Sequence, residues 1–362
     1  MNANAIRPFR IEIPQADLDD LQERLARTRW ADQIPGSGDT YGVSVDRVRQ
    51  LVEFWQGGFD WRKVEARLNA YPQFKTEIDG QDIHFLHVKS ERDNAFPLIL
   101  THGWPGTFVE FLDVIEPLTT AGYDLVIPSV PGYGFSGVTT ESGWNDNRIA
   151  KAWAELMARL GYRKYGAVGN DGGSQISAEL GRVDPEHLVG SHVAQVYSFP
   201  SGDPTEMTDL TADEQRSLAT LDWFVKNKMG FNVLQSQQPQ TLAHALMDSP
   251  TGLVGWNGQL LGPDLDDEFV LTNIAIHWFT GTAGSAIRHY FEKAQAEHAT
   301  EPTTVPMALC GSTGDFHGIR RFADRDHNIV SWRTHDVFTH YLHHVAPDLM
   351  STEITEFFGQ YR

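Results

Sequence analysis

The stretch Gly169-Asn170-Asp171-Gly172-Gly173-Ser174 decides the fold of this chain. It follows a short apolar segment, Tyr165 to Val168, and precedes an apolar-periodic helix that begins near Ser174. Strand, sharp turn and helix in this order, with small residues around one reactive side chain, are typical of a nucleophile elbow. The usual elbow carries serine, whereas this one carries Asp171. A carboxylate that attacks a substrate forms an ester, which water must then cleave. Alone, the run is more typical of a plain turn, because Gly and Asp both tolerate tight turns.

The composition describes a large, acidic, globular protein. The 362 residues are 41% hydrophobic, include 10 tryptophans and carry a formal net charge of -19. That charge argues against nucleic acid and anionic membranes as partners, because both would be repelled. The sequence shows no signal-peptide pattern and no run of about 18 apolar residues, and Cys310 is its single cysteine. We therefore expect a soluble, cytoplasmic protein without intrachain disulfides.

The first part of the chain predicts a small N-terminal domain, residues 1–92. Alternation of Phe9, Ile11 and Ile13 predicts a strand, and a helix is expected over 18–30. Ser44 is well placed to cap a second helix. The run Ile78-Asp79-Gly80 predicts a tight hairpin turn.

From Phe96 onward, strands and helices alternate, which predicts a doubly wound α/β core with a mostly parallel sheet over 93–197 and 299–362. The strands are expected at 96–100, 125–128, 165–168, 305–309 and 329–332, and the helices at 108–118, 149–160, after 174 and at 347–358. Residues 198–298 interrupt this alternation with helical patterns, including a capping box at Thr211 and Glu214. We predict that this insertion is a helical cap over the site.

Several polar or glycine-rich segments follow strands of this sheet, where the sites of such folds lie. The run from Thr101 to Gly106 forms a turn whose backbone N–H groups could stabilise an oxyanion. Pro131 to Gly137 is a second glycine-rich loop, without the spacing of a phosphate or dinucleotide motif. Asp315 and His340 follow the last two strands, so nucleophile, acid and histidine come in the chain order of α/β-hydrolases. Histidine supplies a base near neutral pH, and the carboxylate orients it.

Together these motifs make the chain resemble the α/β-hydrolase epoxide hydrolases of the microsomal and juvenile-hormone type, which include bacterial members that act in natural-product biosynthesis. The resemblance covers nearly the whole chain. The segments that carry it are Tyr71-Pro72-Gln73-Phe74 in the N-terminal meander domain, His102 to Gly106, Gly169-Asn170-Asp171, Asp248-Ser249-Pro250 in the cap, and His340-Tyr341 with Pro347-Asp348-Leu349 after it.

The resemblance implies a mechanism. Asp171 attacks an epoxide carbon while the cap tyrosine Tyr290 protonates the ring oxygen. His340, oriented by Asp315, then activates the water that hydrolyses the ester and releases a vicinal diol. The residues that the resemblance assigns to the oxyanion hole are Trp104 and Gly172. The expected partners are a small-molecule epoxide and water. A homodimer is one possible assembly. The resemblance implies neither a metal nor an organic cofactor.

The chain departs from the family pattern in its cap. The family offers two cap tyrosines, and Tyr290 matches the second. The first position holds Phe231, which cannot donate a proton, so Tyr197 or Tyr133 are alternative donors. An apolar substrate pocket is expected among the cap aromatics, with Phe231, Tyr197 and Trp256 as lining residues.

Other interpretations stay open. His340, His343 and His344 have the spacing of metal ligands on a helix, and His335 competes with His340 as the base. Haloalkane dehalogenases also use an aspartate nucleophile, but they usually have tryptophan after it, where this chain has Gly172. A serine esterase is disfavoured because the chain contains no Gly-x-Ser-x-Gly. A non-catalytic binding protein on this fold is the remaining alternative.

Overall fold

A nine-stranded sheet lies at the centre of the computed structural model, which describes residues 5–297, 299 and 301–362. The strands are β1 (Arg7–Phe9), β2 (Gln73–Ile78), β3 (Gln81–Val88), β4 (Phe96–Thr101), β5 (Tyr123–Pro128), β6 (Tyr165–Gly169), β7 (Leu188–Val193), β8 (Thr303–Ser312) and β9 (His327–His335). Their order across the sheet is β1-β2-β3-β5-β4-β6-β7-β8-β9. The strands from β5 to β9 in this order are parallel, and β1, β2 and β3 form an antiparallel edge. The predicted α/β core with a mostly parallel sheet is confirmed.

Helices cover both the sheet and the site. They are α1 (Gln15–Ala26), α2 (Val45–Gly57), α3 (Trp61–Leu68), α4 (Leu112–Ala121), α5 (Asp146–Arg159), α6 (Gly172–Val183), α7 (Ala212–Asn227), α8 (Gly230–Gln237), α9 (Pro239–Asp248), α10 (Pro250–Gly258), α11 (Asp267–Phe279), α12 (Ala283–Ala286), α13 (Arg288–Ala294), α14 (Arg320–Asp326), α15 (Leu342–Val345) and α16 (Pro347–Phe358). Short 3-10 helices cover Phe108–Phe111, Gly134–Ser136 and Pro204–Met207. Within the described ranges, no helix is long and apolar enough to cross a membrane.

The N-terminal segment is not a strand as far as Ile13, so that prediction is wrong. The strand β1 ends at Phe9. Ile11 and Ile13 are buried, but their backbone amides donate to side chains of the α3 region, Asn69 Oδ1 at 2.9 Å and Glu65 Oε1 at 2.7 Å. The alternating apolar pattern therefore reports burial, while side chains satisfy the backbone groups that a strand partner would otherwise bind.

The two predicted turn and cap features near the N-terminus have different outcomes. The hairpin between β2 and β3 is confirmed, since Asp79 and Gly80 have φ values of 51° and 73°, as a primed turn requires. Ser44 precedes α2, but its side chain accepts no capping hydrogen bond. Gln33 Oε1 accepts from the first helical amide, Val45 N, at 2.7 Å instead. A distant glutamine thus satisfies this amide at the helix start.

The core differs from its predicted pattern at two places. Instead of one helix over 108–118, a tight 3-10 turn at Phe108–Phe111 precedes α4, and all four side chains of that turn are buried. The strand β7, which the sequence patterns did not predict, lies between β6 and β8. Its carboxyl end leads into the segment that carries Gln195 and Tyr197. Both differences add residues to the site.

The helices α7 to α13 form one insertion between β7 and β8, and the capping box at Thr211 and Glu214 is confirmed. Hydrogen bonds anchor the insertion on the second glycine-rich loop. Gly134 N donates to Thr282 Oγ1 at 3.0 Å, and Ser285 Oγ donates to Gly132 O at 2.5 Å. These bonds fix α12 and α13 close to the carboxyl ends of the parallel strands. The first four residues of the predicted N-terminal domain, and His298 and Thr300 at the predicted boundary between cap and core, lie outside the described residues.

Candidate active site

Asp171 lies at a sharp turn between β6 and α6. Its backbone has φ 53° and ψ −124°, a region that non-glycine residues rarely occupy. The turn is held from two sides, because Asp171 N donates to Gln195 Oε1 at 2.7 Å and Asn170 N donates to Thr101 O at 3.1 Å. A Cβ at Gly173 would collide with the Thr101 carbonyl. This is the strand–turn–helix geometry expected of a nucleophile elbow, and it lifts the carboxylate above the sheet.

One oxygen of the Asp171 carboxylate lies in the first glycine-rich turn. Trp104 N donates to Asp171 Oδ1 at 3.1 Å. The Gly172 amide lies beside the same oxygen, since a Cβ at Gly103 would come within 2.6 Å of Gly172 N and would also collide with Asp171 Oδ1. The predicted Trp104 and Gly172 amides therefore both border Oδ1. Fixed N–H groups at this position can stabilise negative charge that develops on the oxygen.

The other oxygen, Asp171 Oδ2, faces the predicted base. His340 Nε2 lies 3.8 Å from Oδ2, and His340 Nδ1 lies 2.9 Å from Asp315 Oδ2. Asp315 is itself fixed, because its Oδ1 accepts from Phe316 N at 2.6 Å and its Oδ2 accepts from Gln195 Nε2. The structure thus brings the three predicted triad residues together, each after a different parallel strand.

The charges around His340 change its acidity. Burial alone would lower the pKa of this imidazole, but the Asp315 and Asp171 carboxylates favour the cation and raise the pKa to about 10. The ring therefore carries a proton at neutral pH while it faces both side chains. An uncharged Asp171 would remove one of the two anions that hold this proton.

Aromatic rings from the insertion cover the oxyanion turn. Phe231 of α8 stacks on Trp104 with ring centroids 5.6 Å apart. The ring of Tyr290 in α13 is nearly perpendicular to both rings, with its centroid 5.9 Å from that of Trp104 and 6.1 Å from that of Phe231. Burial, followed by the Asp171 charge, raises the pKa of Tyr290 well above its usual range. The tyrosine therefore stays protonated and can donate a hydrogen bond.

The three remaining predicted residues of the site lie in different places. Tyr197 Oη is 3.5 Å from Asp171 Oδ2, so it borders the nucleophile directly. Tyr133 Oη is 3.5 Å from His289 Nδ1, behind the glycine-rich loop. Trp256 donates from Nε1 to Gln235 Oε1 at 2.8 Å. That hydrogen bond joins α10 to α8 and does not involve the Asp171 carboxylate.

The histidines that the sequence offered as metal ligands or as a competing base have separate partners. His344 Nδ1 lies 2.6 Å from Asp113 Oδ2. His343 is fully buried against Phe111, and His335 Nε2 lies 3.4 Å from Glu353 Oε1. The spacing of these histidines therefore does not bring them together at one point. His340, not His335, is the histidine beside Asp171.

Three polar residues of the site were missed by the sequence patterns. The first is Gln195, which forms hydrogen bonds with the Asp171 backbone and with the side chains of Asn170 and Asp315. The other two are Glu110 and Tyr341, which are almost fully buried close to His340. The available signals were a glutamate inside the apolar run Phe108 to Leu112 and a glutamine after an apolar strand. Glu110 is a polar residue where the pattern predicts burial, whereas the strand before Gln195 was not predicted.

Comparison with known proteins covers the whole chain. Residues 6–111 match the family model described as epoxide hydrolase N terminus, and residues 97–234 match that of the alpha/beta hydrolase fold. A Stigmatella aurantiaca protein named "Putative epoxide hydrolase" is 38% identical over 99% of this chain and 86% of its own length. Juvenile hormone epoxide hydrolase 1 of Ctenocephalides felis is 32% identical over 81% of this chain and 71% of its own length.

Solved structures share the fold. The crystal structure of juvenile hormone epoxide hydrolase from Bombyx mori has a TM-score of 0.91 at 23% identity, covering 99% of this chain and 95% of that one. The structure of Aspergillus niger epoxide hydrolase has a TM-score of 0.86 at 30% identity, covering 98% of this chain and 96% of that one. The predicted α/β-hydrolase fold is confirmed.

Proposed function

The chain belongs to the epoxide hydrolase family, and from this premise we propose that it opens an epoxide to a vicinal diol through a covalent ester on Asp171. The observation that carries the proposal is that the two oxygens of the Asp171 carboxylate have different partners. Oδ1 accepts from the Trp104 amide, and Oδ2 faces His340, which is paired with Asp315. One oxygen is free to attack, and the other is already held where an oxyanion will form.

In the first step, Asp171 Oδ2 attacks a ring carbon and the bond from that carbon to the ring oxygen breaks. The departing oxygen leaves on the side opposite the attack, so its proton donor must lie across the substrate from Oδ2. Tyr197 Oη is only 3.5 Å from Oδ2, on the nucleophile's own side. We therefore assign the proton donor to Tyr290 on the insertion, and we assign Tyr197 to orienting Asp171.

In the second step, water attacks the ester carbon and passes a proton to His340 Nε2. Ester formation has by then removed the Asp171 charge, which is one of the charges that raise the pKa of His340 to about 10. The base is thus released for deprotonation when the intermediate needs it. Negative charge collects on Oδ1 beside the Trp104 and Gly172 amides until the diol leaves.

The insertion is proposed as a lid, with its residues Phe231 and Trp256 lining the substrate pocket together with Tyr197, which lies just before the insertion. The partly buried position of Tyr290 among aromatic rings supports a water-poor chamber for ring opening. Phe231 is the main departure that favours another function, a binding protein in which ring opening has been lost. The homodimer, the cytoplasmic location, the absence of any cofactor and the role in bacterial natural-product biosynthesis remain predictions from the sequence.

A panel of substrates tests the proposal. Purified protein is incubated with an aryl epoxide, an aliphatic epoxide, a haloalkane and an ester, and the products are followed by chromatography and mass spectrometry. We expect diol from at least one epoxide and no halide release. Asp171→Ala should abolish the diol. Turnover of only the ester or the haloalkane would contradict the proposed function, and so would diol formation by Asp171→Ala.

A further inference from the structure

Glu110 is a buried acid next to the catalytic residues that the proposed mechanism does not use. It lies in the 3-10 turn that follows the oxyanion loop, and only 1% of its surface is exposed. Its carboxyl approaches the loop closely, since a Cβ at Gly106 would come within 2.7 Å of Glu110 Oε2 and 3.1 Å of the Tyr341 ring. The segment that supplies the Trp104 amide thus also places an acid close to the same loop.

Four polar atoms, two of this acid and two of its neighbours, have no hydrogen-bond partner among the residues that the structure describes. They are both carboxyl oxygens of Glu110, the amide nitrogen of Asn170 and the hydroxyl of Tyr341. All three side chains are at least 98% buried. Buried polar groups in native proteins are nearly always satisfied, and small polar gaps are filled by ordered water. These atoms therefore call for a small polar ligand that they can share.

The positions of these groups suit a ligand that lies near the Asp171 carboxyl carbon, where the ester forms. Asn170 precedes the nucleophile in the chain, and its Oδ1 is already fixed by Gln195 Nε2 at 2.8 Å, so its free amide nitrogen has a defined direction. Tyr341 follows the base, and its ring meets the edge of the His340 ring at 5.0 Å. The charges of His340 and Asp171 both act on the pKa of the Glu110 carboxyl. The free polar atoms thus belong to residues that neighbour both the nucleophile and the base.

The protonation state of Glu110 suits such a role. Burial raises the pKa of this carboxyl to about 8, although the nearby His340 charge favours the anion. At neutral pH it carries a proton and does not compete with Asp315 for the imidazolium. Such a carboxyl can accept a hydrogen bond at one oxygen and donate from the other.

We propose that Glu110, Asn170 and Tyr341 hold the water that His340 activates for ester hydrolysis. The inference rests on the proposed function, because it concerns the second step of that reaction. The water oxygen accepts from Asn170 Nδ2 and attacks Asp171 Cγ. One water proton passes to His340 Nε2 and the other stays hydrogen-bonded to Glu110. When the tetrahedral intermediate collapses, the alkyl C–O–Cγ linkage breaks at Cγ, and the proton on His340 goes to the departing alkoxide of the diol.

The experiment separates the two chemical steps in the full-length protein. An epoxide that the parent turns over is mixed with excess enzyme, and the ester is followed as an intact-protein mass increase. In Glu110→Leu we expect the ester to form at the parental rate and to decay about tenfold to a hundredfold more slowly. In steady state, kcat and KM should fall together while kcat/KM is kept. Glu110→Gln can accept and donate at the same place, so it should restore most of the decay rate.

Two further variants keep the inference open to contradiction. Gly106→Ala, which pushes the Glu110 carboxyl aside without removing it, should also slow the decay and serves if Glu110→Leu does not fold. Val109→Ala truncates a buried apolar side chain in the same turn and should leave the decay rate unchanged. Ester decay at the parental rate in folded Glu110→Leu or in Gly106→Ala would overturn the inference. If no ester forms in the parent or in any variant, the proposed function fails instead.

Discussion

Phe231 stacks on the indole of Trp104 at the position where the family pattern has a cap tyrosine. The ring keeps the shape of the chamber but has no hydroxyl. In the proposed mechanism, proton donation then depends on Tyr290, whose ring lies 6.1 Å from that of Phe231. Tyr197 cannot take over this role without leaving Asp171 Oδ2, to which its hydroxyl points. The first step should therefore be slower than two donors would make it.

Restoring the missing hydroxyl should speed ring opening. We expect Phe231→Tyr to raise the rate of ester formation by about tenfold, since a second general acid can stabilise the departing oxygen. The decay of the ester should not change. Pre-steady-state measurement of the mass adduct checks both rates. Phe224→Tyr, at an exposed position of α7, is the matched control. An unchanged rate of ester formation in Phe231→Tyr would mean that one donor already suffices.

At the scale of single elements, the oxyanion turn and the elbow fit each other through glycines. Gly103 lies against Asp171 Oδ1, and Gly172 N is 2.6 Å from where a Gly103 Cβ would be. Asp171 itself has a φ of 53°, which is maintained by the hydrogen bonds that Asp171 N donates to Gln195 and that the preceding amide donates to Thr101 O. The strand ends supply the rigidity that this strained turn requires.

A methyl group at position 103 should therefore separate the two elements. We expect Gly103→Ala to lower ester formation by about 100-fold or more, because the carboxylate can no longer occupy its place between the two amides. Stopped-flow or quenched adduct measurements give the rate. Gly230→Ala, where a Cβ would meet open space, should behave like the parent. A Gly103→Ala enzyme with the parental rate would refute this account of the turn.

These elements also explain how much the sequence could predict. Asp171, Asp315 and His340 follow strands in a fixed order, so strand patterns alone bring them to one edge of the sheet. Glu110 was missed because its burial depends on a 3-10 turn, which apolar periodicity does not distinguish from an α-helix. Ile11 has the alternation of a strand, yet the side chain of Asn69 binds its backbone amide. Such long-range side-chain contacts have no local signature.

Across the whole molecule, folding encloses several ionisable groups at the junction of sheet and insertion. Glu110 and His340 are among those that bind protons more tightly in the folded state than in the unfolded chain. The pKa of Glu110 rises from 4.5 to about 8, chiefly through burial. For His340, burial opposes the charge but the Asp315 and Asp171 carboxylates outweigh it, and its pKa rises from 6.5 to about 10. Stability is therefore linked to pH through the site.

The sign of this linkage can be measured. Where the folded state binds more protons, the free energy of unfolding falls as pH rises. The contribution of His340 is fully present below pH 6.5 and is lost as pH approaches about 10. Relative to His340→Gln, the parent should lose on the order of 5 kcal/mol across that window. Relative to Glu110→Gln, it should lose stability between pH 4.5 and about 8. Urea unfolding at several pH values measures both differences, and parallel curves for parent and variants would contradict the assigned shifts.

The most direct test of the central claim follows oxygen into Asp171. A single turnover of an epoxide is run in water enriched in heavy oxygen with excess enzyme, and the peptide that contains Asp171 is then analysed by mass spectrometry. Because water attacks the ester carbon, the account predicts that the label enters the Asp171 carboxylate and that the first diol formed carries none. Label that appears only in the diol, with an unlabelled Asp171 peptide, would contradict the account.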